Sequence, residues 1–96
     1  MREIVLPRSL DITVVRTVAA DLLDALAGGE LMLDASLVGK LDAAGLQLLC
    51  ATVVTARASG ARVEWKGVSP TLEAGAHTLA LADTLGWSRA RTQENR

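Results

Sequence analysis

Hydrophobic residues in the first third of the chain form one short run and then recur at helical spacing. Residues 3–6 are too few for a helix and are followed by Pro7, which donates no ladder hydrogen bond, so they predict a short strand. A helix is predicted next from an apolar stripe spaced by three and four residues: Val15, Val18, Ala19, Leu22, Leu23 and Leu26. We expect Asp11 or Thr13 to cap this helix, and Gly28 with Gly29 to end it.

The middle of the chain predicts a second strand and a second helix. In residues 30–34 consecutive residues are apolar, so apolar side chains would point to both faces of a strand. This favours a central strand covered on both faces or nearly so. Residues 35–42 predict a loop, and a helix then begins near residues 43–45 and ends at Gly60. Its inward stripe is Leu46, Leu49, Cys50 and Val53. The other side of this helix is only weakly polar and consists of Leu48, Ala51, Thr52 and Thr55. Such a side favours cover by a neighbouring helix or, alternatively, by a partner protein.

The last third predicts a strand and a third helix. Residues 62–66 alternate, which places Val63 and Trp65 inward and the three charged residues outward. Ser69 followed by Pro70 predicts the start of a helix, with Glu73 in its first turn and an inward stripe of Leu72, Ala76 and Leu79. Residues 83–87 fit either a last turn or a short edge strand.

This order of elements predicts the fold class. Strands that alternate with helices usually run parallel within one sheet, so we expect an α/β domain in which helices provide most of the cover. Residues 1–87 are predicted to form this single domain, and residues 88–96 a polar C-terminal tail.

Composition then excludes several classes of protein. The 96 residues are 50% hydrophobic with no Phe or Tyr, and a formal net charge of -1 leaves no basic surface for nucleic acid. A single cysteine, Cys50, cannot form an internal disulfide and indicates a reducing compartment. The sequence has no signal-peptide pattern and no run of about 18 apolar residues for a membrane span. We therefore expect a cytoplasmic protein without direct membrane insertion.

Candidate residues for catalysis or metal binding are scarce. His77 is the one histidine and has no Cys, His or Asp cluster around it, while Cys50 lies on the predicted inward stripe, where an inert packed thiol is expected. One Cys and one His cannot supply the four ligands of a structural zinc site. Gly28 and Gly29 lack the context of a phosphate-binding loop. The sequence therefore predicts a non-enzymatic protein without a cofactor or metal.

The junction into the second helix is the most distinctive segment. Asp42 stands just before the predicted helix start, where its carboxylate can accept hydrogen bonds from the unpaired N–H groups and complement the helix dipole. Gly45 allows another part of the backbone to approach closely. From spacing alone, a capping role is the favoured interpretation of Asp42.

At this junction the chain resembles the STAS family, which includes anti-anti-sigma factors and the cytoplasmic tails of sulfate transporters. The resemblance runs from about residue 3 to residue 87 and depends on four segments in order: Asp-Ala-Ser-Leu-Val at 34–38, Leu-Asp-Ala-Ala-Gly-Leu-Gln-Leu-Leu at 41–49, Gly-x-x-Val at 60–63 and Ser-Pro-Thr-Leu at 69–72. It implies a small mixed, mostly parallel β-sheet with helices packed mainly on one side. The family's additional N-terminal strand is shortened or missing in this chain.

The resemblance also implies a binding surface. In anti-anti-sigma factors a hydroxyl at this helix start is phosphorylated by a kinase that is also the anti-sigma factor, and the phosphate breaks the contact by its charge. The matching positions here are Ala43 and Ala44, which have no oxygen to accept a phosphoryl group, and neither Ser36 nor Thr52 is expected to substitute. The partner-binding residues implied are Ser36, Leu37, Lys40, Asp42, Ala43, Ala44, Gly45, Leu46 and Gln47.

The function implied is a regulatory adaptor that is not switched at the usual site. It resembles an anti-sigma factor antagonist, with a histidine-kinase-type anti-sigma factor or a chemotaxis-type signalling kinase as its partner. One alternative is a cytoplasmic STAS subunit of a phospholipid-transport ABC complex. Another is a nucleotide-binding STAS domain, for which Lys40 and the helix-start N–H groups are the available phosphate donors. The apolar outer side of the second helix also leaves a homodimer open.

Overall fold

Strands and helices alternate along the chain in the computed structural model, which describes residues 2–81 and 84–86. In order they are β1 (Arg2–Val5), β2 (Ser9–Leu10), α1 (Val15–Ala27), β3 (Glu30–Ala35), β4 (Lys40–Leu41), α2 (Ala43–Ser59), β5 (Arg62–Val68) and α3 (Pro70–Thr78). Residues 84–86 form a turn, as one of the two interpretations of that segment predicted. The remainder of the segment and the predicted tail, residues 88–96, lie outside the described residues.

The main sheet has three strands in the order β1-β3-β5, and both of its pairings are parallel. This confirms the predicted α/β class, with the strand at residues 30–35 in the centre. A second, two-stranded parallel pairing joins β2 to β4 and was not predicted, because two residues are too short to leave a periodic pattern. The predicted loop at residues 35–42 therefore ends in a strand. Every strand pairing within the described residues is parallel, so a mixed sheet is not seen there.

The two faces of the sheet differ sharply. Leu31, Leu33 and Ala35 of β3 are fully buried and belong to the single core cluster formed with the helices. Met32, on the opposite face, is only partly buried, and its neighbour in β1 is Glu3. Glu3 forms a salt bridge of 3.2 Å with Lys66 of β5, across the central strand. The expectation of cover on both faces was therefore wrong, whereas helices packed mainly on one side are confirmed.

Helix α1 differs from its prediction at its start and on one side. Val14 is its N-cap, and no side chain of the described residues caps it, because the Asp11 carboxylate accepts instead from the N–H and hydroxyl of Thr13, at 3.0 and 2.5 Å. Leu23, predicted inward, is 60% exposed. The helix buries an arc centred on Val18, Leu22, Ala25 and Leu26, and Leu23 lies a further 100° round the helix from Leu22.

Helix α2 buries residues outside the apolar stripe that was predicted to face inward. Leu46, Leu49 and Val53 are buried as expected, and α2 contacts α1, α3 and β5. Thr52, predicted outward, is buried, and its hydroxyl donates to the carbonyl oxygen of Leu48 at 2.8 Å. Gly60 ends the helix with φ 77°, the left-handed conformation predicted for it. Of the side predicted as weakly polar, Leu48 is partly buried while Ala51 and Thr55 are exposed, so that side is covered only in part.

Helix α3 begins as predicted. The Ser69 hydroxyl accepts from the N–H of Leu72 at 3.1 Å, and Pro70 is the first helical residue. Leu79, predicted inward, is 53% exposed, because the helix ends at Thr78. After the helix, the Trp65 indole N–H donates to the carbonyl oxygen of Leu85 at 3.2 Å, which fastens the turn at residues 84–86 to β5.

The one-sided core gives a direct test with two neighbouring residues of β3. We expect Leu33→Ala to lower the free energy of unfolding by about 2–5 kcal/mol, because it opens a cavity among buried side chains. Met32→Ala, on the opposite face, is expected to cost about 1 kcal/mol. Urea denaturation followed by circular dichroism measures both, and equal losses would contradict a core on one face alone.

Candidate functional site

The predicted site residues lie where β3, the loop after it and the start of α2 meet the short β2–β4 pairing. The N–H groups of Gly39 and Lys40 both donate to the carbonyl oxygen of Arg8, at 2.8 and 3.0 Å. Leu10 pairs with Leu41 in the parallel register. The loop that carries the predicted site is therefore held by the segment just before α1, which is distant in sequence.

Asp42 joins the two segments through its carboxylate. One oxygen, Oδ1, accepts from the N–H of Gly45 at 2.9 Å and so caps α2, as predicted. The other oxygen, Oδ2, accepts from the N–H of Ile12 at 3.0 Å, a contact that spacing along the chain did not indicate. The hydrogen bond from Gly45, and next that from Ile12, lowers the pKa of Asp42 below its usual value. Asp42 is therefore held in its ionised form as a connector between α2 and the end of the β2 segment.

The start of α2 lies so close to the β2 backbone that position 45 must be a glycine. A Cβ atom at Gly45 would lie 2.1 Å from the carbonyl oxygen of Leu10 and 2.9 Å from its carbonyl carbon, distances that backbone atoms cannot accommodate. The close approach predicted from the sequence is thus real, and its partner is the β2 backbone. Any side chain at position 45 would push α2 away from β2.

A second turn is built at the end of β3. One oxygen of Asp34, Oδ1, accepts from the Ser36 hydroxyl at 2.6 Å and from the Ser36 N–H at 3.0 Å. These two bonds, with a smaller effect from the charge of Lys66, lower the pKa of Asp34. Gly67 leaves room for the turn, since a Cβ there would lie 3.2 Å from that of Ser36. The Ser36 hydroxyl is exposed, but it is engaged in shaping the loop.

The predicted partner-binding residues divide into an outer and an inner set. Leu37, Lys40, Ala43 and Gln47 are exposed, and Ala44 is partly exposed. The Leu46 side chain is buried and Gly45 faces the β2 backbone, so these two support the surface from beneath.

Two exposed apolar residues beside this junction were not predicted as site residues. Ile12 is 67% exposed and is fixed through its N–H to Asp42, while Leu79 borders a groove of about 270 Å³ at the start of α2. The groove is lined by Leu41, Asp42, Ala43, Leu46, Gly75, Thr78 and Leu79. Ile12 and Leu79 come from the ends of other elements, so only the tertiary structure brings them here. We call the exposed set the α2 entry surface; it consists of Ile12, Leu37, Lys40, Ala43, Ala44, Gln47 and Leu79.

The described residues offer neither a cluster of metal ligands nor an activated thiol. No group of three or more His, Cys, Asp or Glu residues that could hold a metal ion occurs within residues 2–81 and 84–86. Burial raises the pKa of the Cys50 thiol, which keeps it in the unreactive protonated form. At the start of α2, the Asp42 carboxylate already accepts from the helix N–H of Gly45, so a nucleotide phosphate would meet a negative charge there. This arrangement gives no support to the nucleotide-binding alternative.

Fold and site together define a small one-sided α/β domain with a rigid, largely apolar surface at a helix start. Comparison with protein families agrees: the family model described as MlaB, STAS domain, matches residues 3–89. The chain therefore belongs to the STAS domain family, as the sequence resemblance implied. No curated protein matches the chain significantly. No helix of the described part of the chain has the length and apolar character needed to cross a membrane.

Gly45→Ala tests the close junction. The added methyl group meets the Leu10 backbone, so we expect the free energy of unfolding to fall by about 1–3 kcal/mol or more. Gly28→Ala is the matched control, because a Cβ at Gly28 would make an ordinary 3.4 Å contact and its φ of -82° suits alanine. Urea denaturation compares the two, and a Gly45→Ala protein as stable as the control would contradict the geometry.

The variant Asp42→Ala tests whether the Asp42 carboxylate connects α2 to the segment after β2, through the pH dependence of the protein's stability. Because the folded-state pKa of Asp42 is lowered, its stabilising contribution is complete above the unfolded value of about 3.8 and is lost as pH falls towards the folded value. We expect the variant to be less stable than the wild type at pH 7, and this difference to shrink as pH falls below 3.8. Denaturation series at several pH values measure it. Asp21→Ala, which removes an exposed acid from α1, controls for the lost charge.

Proposed function

We propose that this protein is a non-enzymatic protein-binding module of the anti-sigma factor antagonist type, which docks through the α2 entry surface. The observation that carries the proposal is the start of α2, where the exposed Ala43 lines a groove with Leu79 and where Asp42 holds the backbone of the exposed Ile12. Apolar side chains held on a rigid scaffold bind a protein partner with little loss of conformational freedom. Lys40 and Gln47 at the border supply polar contacts.

The alanines also determine how binding is regulated. A hydroxyl at position 43 or 44 would allow a kinase to place about two negative charges at the centre of the surface. With alanine there, the surface stays in one state, which corresponds to the unphosphorylated form of a switched relative. The proposed partner is a histidine-kinase-type anti-sigma factor or a chemotaxis-type signalling kinase in the cytoplasm. Binding is then controlled by the amount of either protein and not by phosphate at this helix start.

Ala44→Asp tests this function. A carboxylate in the first turn of a helix is compatible with the helix dipole, so the variant should fold, whereas a buried unpaired charge in the interface should weaken binding about tenfold or more. Ala51→Asp is the control, since Ala51 is exposed further along the same helix and outside the α2 entry surface. Each tagged protein is used to capture partners from the source cell, and the partner is then titrated by calorimetry.

The outcomes separate the proposal from its alternatives. Recovery of a kinase-like protein that binds the wild type and Ala51→Asp, but not Ala44→Asp, supports the proposal. Equal binding by all three proteins places the interface elsewhere and contradicts it.

A second candidate is a STAS subunit of a phospholipid-transport ABC complex. Two observations favour it: the matching family model carries the MlaB name, and a surface without a phosphoryl acceptor suits a permanent subunit. In that case the capture experiment recovers an ABC ATPase or a permease, and the α2 entry surface would be its contact.

A further inference from the structure

A second groove lies near the C-terminal end of α2, where three elements distant in the sequence meet. Its lining comes from α2, from β5 and from the turn at residues 84–86, and includes Ala56, Arg57, Val63, Trp65 and Leu85. Ala43 of the α2 entry surface lies about 20 Å from Arg57 along the helix axis. What binds in this groove is therefore independent of the proposed function.

The size of the groove matches a single six-membered ring. Its volume is about 160 Å³, and an apolar cavity of about 150 Å³ in another protein holds one benzene molecule. The aliphatic lining residues Val53, Ala61 and Leu85 offer such a ring apolar contacts. A helix or strand of another protein would need a longer groove, so the space favours a free small molecule.

Trp65 favours an aromatic occupant. Its indole N–H donates to the carbonyl oxygen of Leu85 at 3.2 Å, which holds the indole between β5 and the turn. Aromatic rings that meet edge-to-face or in an offset stack gain more than the apolar area they bury. Because the indole is already held in place, a ligand that contacts it does not have to order this part of the wall.

Arg57 supplies the only charged side chain among the described lining residues. Its Nη2 atom would lie 4.0 Å from a Cβ atom at Gly86, so the guanidinium group extends from α2 towards the turn. The Arg57 side chain is exposed and forms no ion pair or side-chain hydrogen bond within residues 2–81 and 84–86. A guanidinium group presents paired N–H donors whose spacing matches the two oxygens of a carboxylate.

We propose that this groove binds a small aromatic carboxylate. The ring lies beside Trp65 and the aliphatic side chains, and the carboxylate pairs with the guanidinium group of Arg57. Neither half of such a ligand is enough alone, because a ring without charge leaves the guanidinium group unpaired and a small acid without a ring leaves the apolar space empty. A nucleotide carries more volume and more charge than one ring-sized space and one arginine match.

Titration of the full chain with sodium benzoate tests the proposal. We expect a saturable shift of the Trp65 indole N–H signal in proton–nitrogen correlation spectra, with a dissociation constant of about 0.1–10 mM for so small a ligand. The signal is identified by its absence from the spectrum of Trp65→Phe. Benzamide, which keeps the ring and lacks the charge, should bind about fivefold more weakly or worse. Acetate, which keeps the charge and lacks the ring, should give no saturable shift.

Two variants locate the binding. Arg57→Gln removes the charge, so benzoate should bind to it about as weakly as benzamide binds to the wild type. Ala61→Leu places a larger side chain in the groove and should weaken both ligands about tenfold or more. Arg16→Gln is the matched control, because it removes an exposed arginine of α1 that does not line the groove. Circular dichroism checks that each variant is folded, and the exposed Arg57 keeps the test valid if Ala61→Leu does not fold.

The outcomes are separate from those of the partner-capture experiment. Ala44→Asp should bind benzoate like the wild type, so a failure of the proposed function and a failure of this inference are distinguishable. Absence of saturable binding up to about 50 mM benzoate would overturn the proposal. So would equal affinities for benzoate and benzamide, or an Arg57→Gln variant that binds benzoate as tightly as the wild type.

Discussion

The contact between the α2 helix start and the β2 backbone is the constraint on which the candidate site depends. The missing Cβ of Gly45 lets the carbonyl group of Leu10 approach to a distance that no other residue permits. Asp42 secures the same contact from the side, since its two carboxylate oxygens bind N–H groups on both segments. Ile12, the loop before α2 and the first turn of α2 thereby become one rigid surface. Without this junction, Ile12 would have no fixed position relative to Ala43 and Ala44.

A second constraint is the small size of the core. The three-stranded sheet has helices on one face, and its other face carries Met32 among charged side chains, with a salt bridge between Glu3 and Lys66. A domain of this size buries a modest fraction of its apolar surface, so some apolar side chains remain outside. Ile12, Leu37 and Leu79 belong to the α2 entry surface, Val5 borders a groove beside β1, and Leu23 and Val54 are exposed on α1 and α2.

The carboxylates of Asp34 and Asp42 have structural roles at the site. Each accepts two hydrogen bonds from nearby groups, which stabilise the ionised form and lower its pKa. A carboxylate held ionised in this way is a poor proton donor. Ala43 and Ala44, at the start of α2, have no oxygen that could accept a phosphoryl group.

The sequence by itself determined the three helices, the main strands and the alternation that makes the domain α/β, because these features depend on local periodicity and on caps such as Ser69 and Gly60. It also indicated that Asp42 caps a helix and that Gly45 permits a close approach. Only the tertiary structure decided which backbone makes that approach, since Leu10 is 35 positions away in the chain. It likewise decided that Thr52 is buried, that Leu23 and Leu79 are exposed, and that Ile12 joins the site. Hydrophobic spacing reports the direction of a side chain on its own helix, whereas burial depends on what the neighbouring elements cover.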